Sequence, residues 1–96
     1  MIIVQDTFVC KPGNASKLAK LCKEVMTGGE VMNIMTDMTG KFNRVVIMCK
    51  YENLAAYEES FKKYMENSEE MKKMQEKMAG YTDMYQTGSR EIYKTW

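Results

Sequence analysis

Carboxylate, tyrosine and arginine side chains are the groups best suited to proton transfer in this sequence, because it contains no histidine. Without imidazole there is no ordinary base for a nucleophile, no proximal haem ligand and no histidine-based metal site. A carboxylate beside apolar walls has a raised pKa and can accept a phenolic proton. A tyrosine or an arginine can then hold the oxyanion that forms. We predict these catalytic roles for Glu91, Tyr85 and Arg44.

A second set of polar side chains is predicted to bind a small molecule on the same surface. They occupy odd-numbered positions in or next to predicted strands, and they are Gln5, Thr7, Asn33, Asp37, Asp83 and Tyr93. Apolar walls with a few convergent polar groups are typical of a small-molecule pocket. The alternative is that these groups hydrogen-bond across a hydrated subunit interface or lie at strand ends. In that case Arg44 or Arg90 neutralises a carboxylate inside the dimer.

Eleven methionines and three cysteines raise the question of a metal site. Soft thioethers bind Cu(I), and two methionine runs are regularly spaced: Met32, Met35 and Met38, and Met71, Met74 and Met78. The first run alternates between the faces of a predicted strand, and the second has the spacing of a helix core. The cysteines lack any C-x-x-C pair, and Cys22 lies on an apolar helix face. We predict reduced thiols, a buried and inert Cys22, no nucleophilic role for Cys10 or Cys49, no metal and no cofactor.

The hydrophobic pattern predicts the elements that position these groups. Strands are expected over 2–10, 31–39 and 41–51, and from Tyr81 to the end of the sequence with a bulge at Gly88. Helices are expected over 15–26, capped by Asn14 or Ser16, and over 54–65, capped by Asn53. The second helix continues over 67–80, after a kink at Asn67–Ser68, and ends at Gly80.

The resulting order, β-α-β-β-α-β, is that of a ferredoxin-like α+β fold with a four-stranded antiparallel sheet. We expect one domain over residues 1–96. Even-numbered side chains of the first two strands are assigned to the helix side: Ile2, Val4, Phe8, Met32, Ile34 and Met38. The odd-numbered side is apolar as well, although the helices cover only one face. We therefore predict a homodimer whose two sheets meet face to face in an α/β barrel.

Two stretches resemble the dimeric α+β barrel superfamily, which includes antibiotic-biosynthesis-type monooxygenases and NIPSNAP-like proteins. "FVCKPG" at Phe8 to Gly13 is similar to its strand-to-helix turn, and "GSREIY" at Gly88 to Tyr93, after "KMAGY", resembles its last strand. The resemblance implies paired sheets with a cleft inside the barrel or beneath the helices. Some relatives oxidise phenols or quinols without metal or flavin, others degrade haem or isomerise substrates, and some have no known activity.

The resemblance and the residues together favour one of two functions. The first is a cofactor-independent, monooxygenase-like enzyme acting on a small hydrophobic or aromatic molecule. The second is a non-catalytic module that binds a small molecule or a protein through the same cavity. The catalytic histidine of the haem-degrading branch has no counterpart, which counts against haem chemistry. The balanced charge, 14 basic against 13 acidic residues, predicts no nucleic-acid partner. The absence of a long apolar run predicts no membrane span. The reduced thiols predict a cytoplasmic location.

Overall fold

The computed structural model describes residues 1–26, 28–40, 42–64 and 69–96. Its strands are β1 (Ile2–Cys10), β2 (Val31–Thr36), β3 (Arg44–Tyr51) and β4 (Tyr85–Lys94). Its helices are α1 (Ala15–Val25), α2 (Leu54–Tyr64) and α3 (Glu69–Lys77), with a 3₁₀-helix at Tyr81–Asp83. No helix in this described part of the chain is long and apolar enough to cross a membrane.

The four strands form one antiparallel sheet in the order β2-β3-β1-β4, which confirms the ferredoxin-like prediction. The two central strands, β1 and β3, pair from Ile2 opposite Tyr51 to Val9 opposite Arg44. Because successive strand residues point to opposite faces, this register puts Val4 and Cys49 on the same face. Both are buried, at 2% and 6% exposure, so this is the face that the helices cover.

The core lies between this face and α1. Leu18 and Cys22 of α1 pack against Val45 and Ile47 of β3 and against Cys10 of β1. The helix begins after Asn14, whose side chain makes no capping hydrogen bond, and Met26 closes its last turn by donating to the Cys22 carbonyl at 2.7 Å. We call the helix-covered side of the sheet the helix face and the opposite side the open face.

The β2–β3 hairpin is shorter than predicted, because the strands separate before the Gly40 turn. Asp37 lies just after β2, and its Oδ1 accepts a hydrogen bond from the Arg44 amide at 3.0 Å. Asn43 and Gly40 have φ angles of 62° and 93°, left-handed values that end strand geometry. Met38, predicted to face the helices, therefore lies in the loop at 98% exposure.

A bulge in β2 also changes the expected position of Met32. The register with β3 shifts between Val31 and Asn33, and Met32 is 45% exposed. Past the bulge, Ile34 faces the core as predicted, opposite Ile47. One extra residue thus removes Met32 from the alternation of side chains between the two faces, which the rest of the strand follows.

The second helical region divides into α2 and α3. Asn53 caps α2 as predicted, because its Oδ1 accepts from the Ala56 amide at 2.9 Å. In α2, Tyr57 and Phe61 share a face, with ring centroids 5.0 Å apart, whereas Leu54 is 60% exposed. Met71, Met74 and Met78 are all half-buried. The predicted kink at Asn67–Ser68, Met65 and the side chain of Tyr64 lie outside the described residues.

The last strand begins later than predicted. Tyr81–Asp83 form a 3₁₀-helix after Gly80, whose φ of 83° marks the end of the preceding helical segment. β4 then pairs with β1, and the register shifts between Val9 and Cys10, where Thr87 and Tyr85 are the partners. The bulge predicted at Gly88 thus lies one or two residues earlier, and this shift decides which face Tyr85 occupies.

Candidate functional site

The three predicted catalytic residues lie in different places within one subunit. Glu91 is opposite Gln5 on the open face, and Arg44 is opposite Val9 at the start of β3. Gln5 and Val9 are four residues apart on β1, which corresponds to about 13 Å along a strand. Tyr85 is opposite Cys10 and lies on the helix face. Within one chain, the sheet therefore does not bring Glu91, Tyr85 and Arg44 together around one substrate.

Most of the predicted ligand-binding residues share the open face. The register places Gln5, Thr7, Asn33, Glu91 and Tyr93 there. Apolar side chains accompany them: Ile3, Val9, Met35, Val46 and Met48. The Tyr93 hydroxyl donates a hydrogen bond to Glu91 Oε2, and this bond raises the pKa of Tyr93. The open face thus mixes polar and apolar side chains: Gln5 and Thr7 lie between Ile3 and Val9 on β1, and Asn33 lies beside Met35 on β2.

Asp37 and Asp83 lie away from this surface. Asp37 contacts Arg44, with its Oδ2 3.6 Å from Arg44 Nε, so this carboxylate closes the β2–β3 loop. It also borders an open pocket of about 220 Å³ between this loop and the start of α1. Asp83 is exposed in the 3₁₀-helix. Neither aspartate joins the predicted ligand-binding set.

An ion pair lies on the helix face, where no site was predicted, although Arg90 was one of two arginines expected to neutralise a carboxylate. Asp6 of β1 and Arg90 of β4 are cross-strand partners. Arg90 Nε donates to Asp6 Oδ1 at 2.6 Å, and Arg90 Nη2 donates to Oδ2 at 3.3 Å. This two-point geometry is the strong form of an arginine–carboxylate contact. The hydrogen bond to Asp6 raises the pKa of Arg90, so the guanidinium stays charged throughout the physiological range.

Aromatic rings from α2 support the guanidinium. Arg90 Cζ lies 5.1 Å from the ring centroid of Phe61 and 5.8 Å from that of Tyr57. A cation over ring faces at this distance is attracted by the ring quadrupole. Burial raises the pKa of Tyr57, and its buried hydroxyl has no hydrogen-bond partner among the described residues. Arg90 is thus fixed between a carboxylate in the sheet and two rings of the overlying helix.

A pocket of about 290 Å³ opens beside this ion pair. It is lined by Asp6, Phe8, Tyr85, Gly88, Ser89 and Arg90. The rings of Phe8 and Tyr85 pack together with centroids 4.9 Å apart. Gly88 is opposite Phe8, and a Cβ at Gly88 would lie 3.4 Å from Phe8 Cδ1. The missing side chain of Gly88 therefore leaves room over the Phe8 ring, and Tyr85 reaches this pocket because of the bulge in the β1–β4 register.

Two signals in the sequence point to this site. Asp6 interrupts an apolar strand at an even position, and Arg90 is a charge at an even position of the last strand. A charge on the helix-covered face is stabilised by a partner of opposite sign, so the two residues are natural candidates for a pair. Tyr57 and Phe61 are spaced i, i+4 on one helix. The register that brings these four residues together depends on the β4 bulge, which the sequence placed inaccurately.

The thiols do not supply a nucleophile to this pocket. Cys10, Cys22 and Cys49 are free and buried. Burial raises the pKa of both Cys22 and Cys49 to about 11, and it raises that of Cys10 as well. A thiolate is the reactive form, so these groups are inert near neutral pH. No group of His, Cys, Asp and Glu within the described ranges is arranged to hold a metal ion.

This thiol chemistry gives a direct prediction. At pH 8 a thiol of pKa about 11 is ionised in only about one molecule in a thousand. We expect iodoacetamide to alkylate the folded protein at least ~100-fold more slowly than free cysteine. Mass spectrometry of the time course measures this rate. The same reaction in guanidinium chloride is the control, in which all three thiols should react, and a single fast site in the folded protein would contradict the prediction.

Solved structures with this architecture define the class of protein. A NIPSNAP family protein from Agrobacterium tumefaciens is 14% identical, with 97% of this chain and 90% of that chain covered and a TM-score of 0.77. An uncharacterized NIPSNAP domain protein from Burkholderia xenovorans is 11% identical, with 100% and 95% covered and a TM-score of 0.77. An antibiotic biosynthesis monooxygenase is 13% identical, with 100% and 99% covered and a TM-score of 0.62. The chain is therefore a ferredoxin-like α+β protein with the fold of this superfamily.

The family itself follows from the sequence. The family model for NIPSNAP matches residues 6–92 of the 96, a range that begins at Asp6 and includes Arg90. This chain belongs to the NIPSNAP family. No curated protein matches its sequence. Family membership confirms the predicted resemblance and does not by itself assign an activity.

Proposed function

We propose that this protein is a homodimer in which each subunit binds a small aromatic molecule in the pocket beside Arg90. The observation that carries the proposal is the arrangement of the pocket walls. Phe8 and Tyr85 provide an apolar wall, Gly88 provides space, and Arg90 provides a fixed polar group at the side. A concavity that combines aromatic walls with a few fixed polar groups is the usual composition of a ligand site.

The open face supports the homodimer. Its centre is uncharged, with Thr7, Val46, Gln5 and Met48 in cross-strand pairs. Charged groups lie towards its margins: Arg44 and Lys50 near the ends of β3, and Glu91 on the edge strand β4. Met35 and Tyr93 are 39% and 47% exposed, which is a large apolar area to leave in water. A second copy with the same uncharged centre and mixed margin is a self-complementary cover.

Binding is favoured over catalysis because Asp6 is occupied. Both of its oxygens accept hydrogen bonds from Arg90, so neither can accept a proton from a ligand while the ion pair is intact. Glu91, the predicted base, is on the other side of the sheet and accepts a hydrogen bond from Tyr93. The monooxygenase-like alternative needs a base at the pocket, and we propose it second. Its supporting observation is the fold shared with the antibiotic biosynthesis monooxygenase.

The three unpaired thiols indicate the kind of cellular compartment in which the protein folds. Cys10, Cys22 and Cys49 are all free in the folded chain. Proteins with buried reduced cysteines and no disulfide are typical of reducing environments. We propose a cytoplasmic location on this ground.

A neutral aromatic probe tests the binding function. We expect 2-naphthamide to shift amide signals of Phe8, Tyr85 and Ser89 in two-dimensional ¹H–¹⁵N NMR spectra. Gly88→Val should weaken this binding at least ~10-fold, because the added methyl groups fill the space over Phe8. The backbone of Gly88 is not in the left-handed region and valine favours strands, so the variant should fold.

The matched control is Thr87→Val, which places the same side chain one residue earlier, outside the pocket lining. It should bind the probe as the wild type does. Probe-induced shifts confined to the open face, or equal affinity in Gly88→Val, would show that the pocket is not the site. Oxygen uptake with 2-naphthol above the protein-free rate, lost in Gly88→Val, would favour the enzyme over the binding module.

A further inference from the structure

The ion pair beside the pocket presents its positive end to solvent. The side chain of Asp6 is 18% exposed, whereas that of Arg90 is 46% exposed. Asp6 is thus held in the sheet, and the guanidinium extends outward from it. Among the described residues, the charged members of the pocket lining are Asp6 and Arg90. A ligand in this pocket therefore encounters the cation more directly than its counterion.

The guanidinium also has donors left over. An arginine carries five N–H groups, and the contacts with Asp6 use Nε and one hydrogen of Nη2. No partner of Nη1 is found within the described ranges of the chain. The planar group is held in position by Phe61 and Tyr57, so little side-chain freedom is lost when it binds a ligand. The geometry is that of a prepared receptor for a planar anion.

The apolar walls select the rest of the ligand. Phe8 and Tyr85 form a tilted aromatic pair, and Tyr81 lies 5.8 Å from Tyr85 between ring centroids. Gly88 leaves the Phe8 ring accessible from the pocket. Flat rings pack favourably against such walls. The volume of about 290 Å³ accommodates a fused two-ring system with a small substituent.

From these observations we infer that the ligand is an aromatic carboxylate, whose carboxylate group binds the outer donors of Arg90 and whose rings lie over Phe8. This inference rests on the proposed binding function and names its ligand class. Asp6 then has a second role: it orients Arg90 and also partly neutralises it. Removing the charge of Asp6 while keeping its shape should strengthen carboxylate binding, whereas a purely structural ion pair predicts no gain.

The test compares 2-naphthoate with 2-naphthamide, which differ in charge and have nearly the same shape. Affinities are measured by NMR titration at fixed ionic strength. In the wild type, 2-naphthoate should bind about 10-fold or more tightly than 2-naphthamide, because the guanidinium forms an ion pair with the carboxylate but only a hydrogen bond to the neutral amide oxygen. Arg90→Gln should reduce 2-naphthoate affinity about 10- to 100-fold and change 2-naphthamide affinity little.

Asp6→Asn should change the affinity for 2-naphthoate in the opposite direction to Arg90→Gln. Asparagine retains an oxygen acceptor for Arg90 Nε, and the site gains one unit of positive charge. We expect 2-naphthoate affinity to rise about three- to tenfold, with no change for 2-naphthamide. Lys94→Gln is the net-charge control for Arg90→Gln: it also removes one positive charge from β4, outside the pocket lining, and should leave both affinities unchanged.

The possible results distinguish a failure of the proposed binding function from a failure of the carboxylate assignment. If neither probe binds, the proposed binding function fails. If both bind equally in the wild type, or if Asp6→Asn leaves 2-naphthoate affinity unchanged, the site exists and the carboxylate assignment is overturned. Should Arg90→Gln fail to fold because it leaves Asp6 unpaired, the double variant Asp6→Asn/Arg90→Gln restores a neutral hydrogen-bonding pair. It must still lose the preference for 2-naphthoate.

Discussion

Val46→Glu is expected to convert the proposed homodimer to a monomer. Val46 lies on the central strand β3, opposite Thr7 of β1 and Met35 of β2, at the middle of the open face. In a sheet-to-sheet dimer the two-fold symmetry brings both copies of this position into the interface. Each buried, unpaired carboxylate costs several kcal/mol. The dissociation constant should therefore rise at least ~1,000-fold.

Sedimentation velocity at micromolar concentration measures this change. Lys20→Glu provides the control, because it introduces the same side chain at an exposed position of α1 on the other side of the sheet. Val46→Thr, which keeps the shape without a charge, should remain largely dimeric. A wild-type protein that sediments as a monomer, or a Val46→Glu variant that sediments as a dimer, would contradict the proposed assembly. The circular dichroism of Val46→Glu should match the wild type, since Val46 is outside the core cluster.

The alternation of β1 could be predicted from the sequence because the strand contains no bulge before Cys10. Ile2, Val4 and Phe8 were assigned to the helix side, and the register with β3 places all three there. The period of two then also places Gln5 and Thr7 correctly on the open face. The element order and fold followed from the same pattern, since β-α-β-β-α-β leaves few antiparallel arrangements.

The candidate site was harder to predict because two bulges alter the alternation. A single extra residue exchanges the two faces of a strand. In β2 this exposes Met32, and in β4 it moves Tyr85 to the helix face. Glu91 and Tyr93 lie beyond the β4 bulge and keep their predicted face. The sequence carries no side-chain signal for the exact bulge position, so Glu91 and Tyr85 were grouped although the sheet separates them.

Asp6 and Arg90 illustrate a different difficulty. On its own, Asp6 is an unfavourable residue for this strand, since an isolated charge against a hydrophobic core is costly. Together they form a two-point contact, and their sequence separation of 84 residues hides that relation. The contact can be predicted only once the pairing of β1 with β4 is known. Once the pair is known, the role of Gly88 also changes: it lies two residues before Arg90 on the same face and leaves the pocket open.

Leu18→Ala is expected to cause the largest loss of stability. Leu18 is 1% exposed and joins α1 to the core cluster on β1 and β3. Replacing a buried leucine by alanine costs about 2–5 kcal/mol, from lost transfer free energy and the cavity that remains. The total stability of a domain of this size is on the order of 5–15 kcal/mol. The melting temperature should fall by at least ~10 °C, as measured by thermal unfolding at a fixed protein concentration.

Leu54→Ala makes the same chemical change at a position that is 60% exposed, and it should shift the melting temperature by only a few degrees. Leu18→Ala and Val46→Glu also test each other, because α1 and the open face are on opposite sides of the sheet. Leu18→Ala should destabilise the subunit without changing the dissociation constant of the folded dimer. Val46→Glu should lower the melting temperature only through lost association, so that its effect grows with protein concentration. A Leu18→Ala variant that is folded but monomeric would mean that α1, and not the open face, forms the dimer.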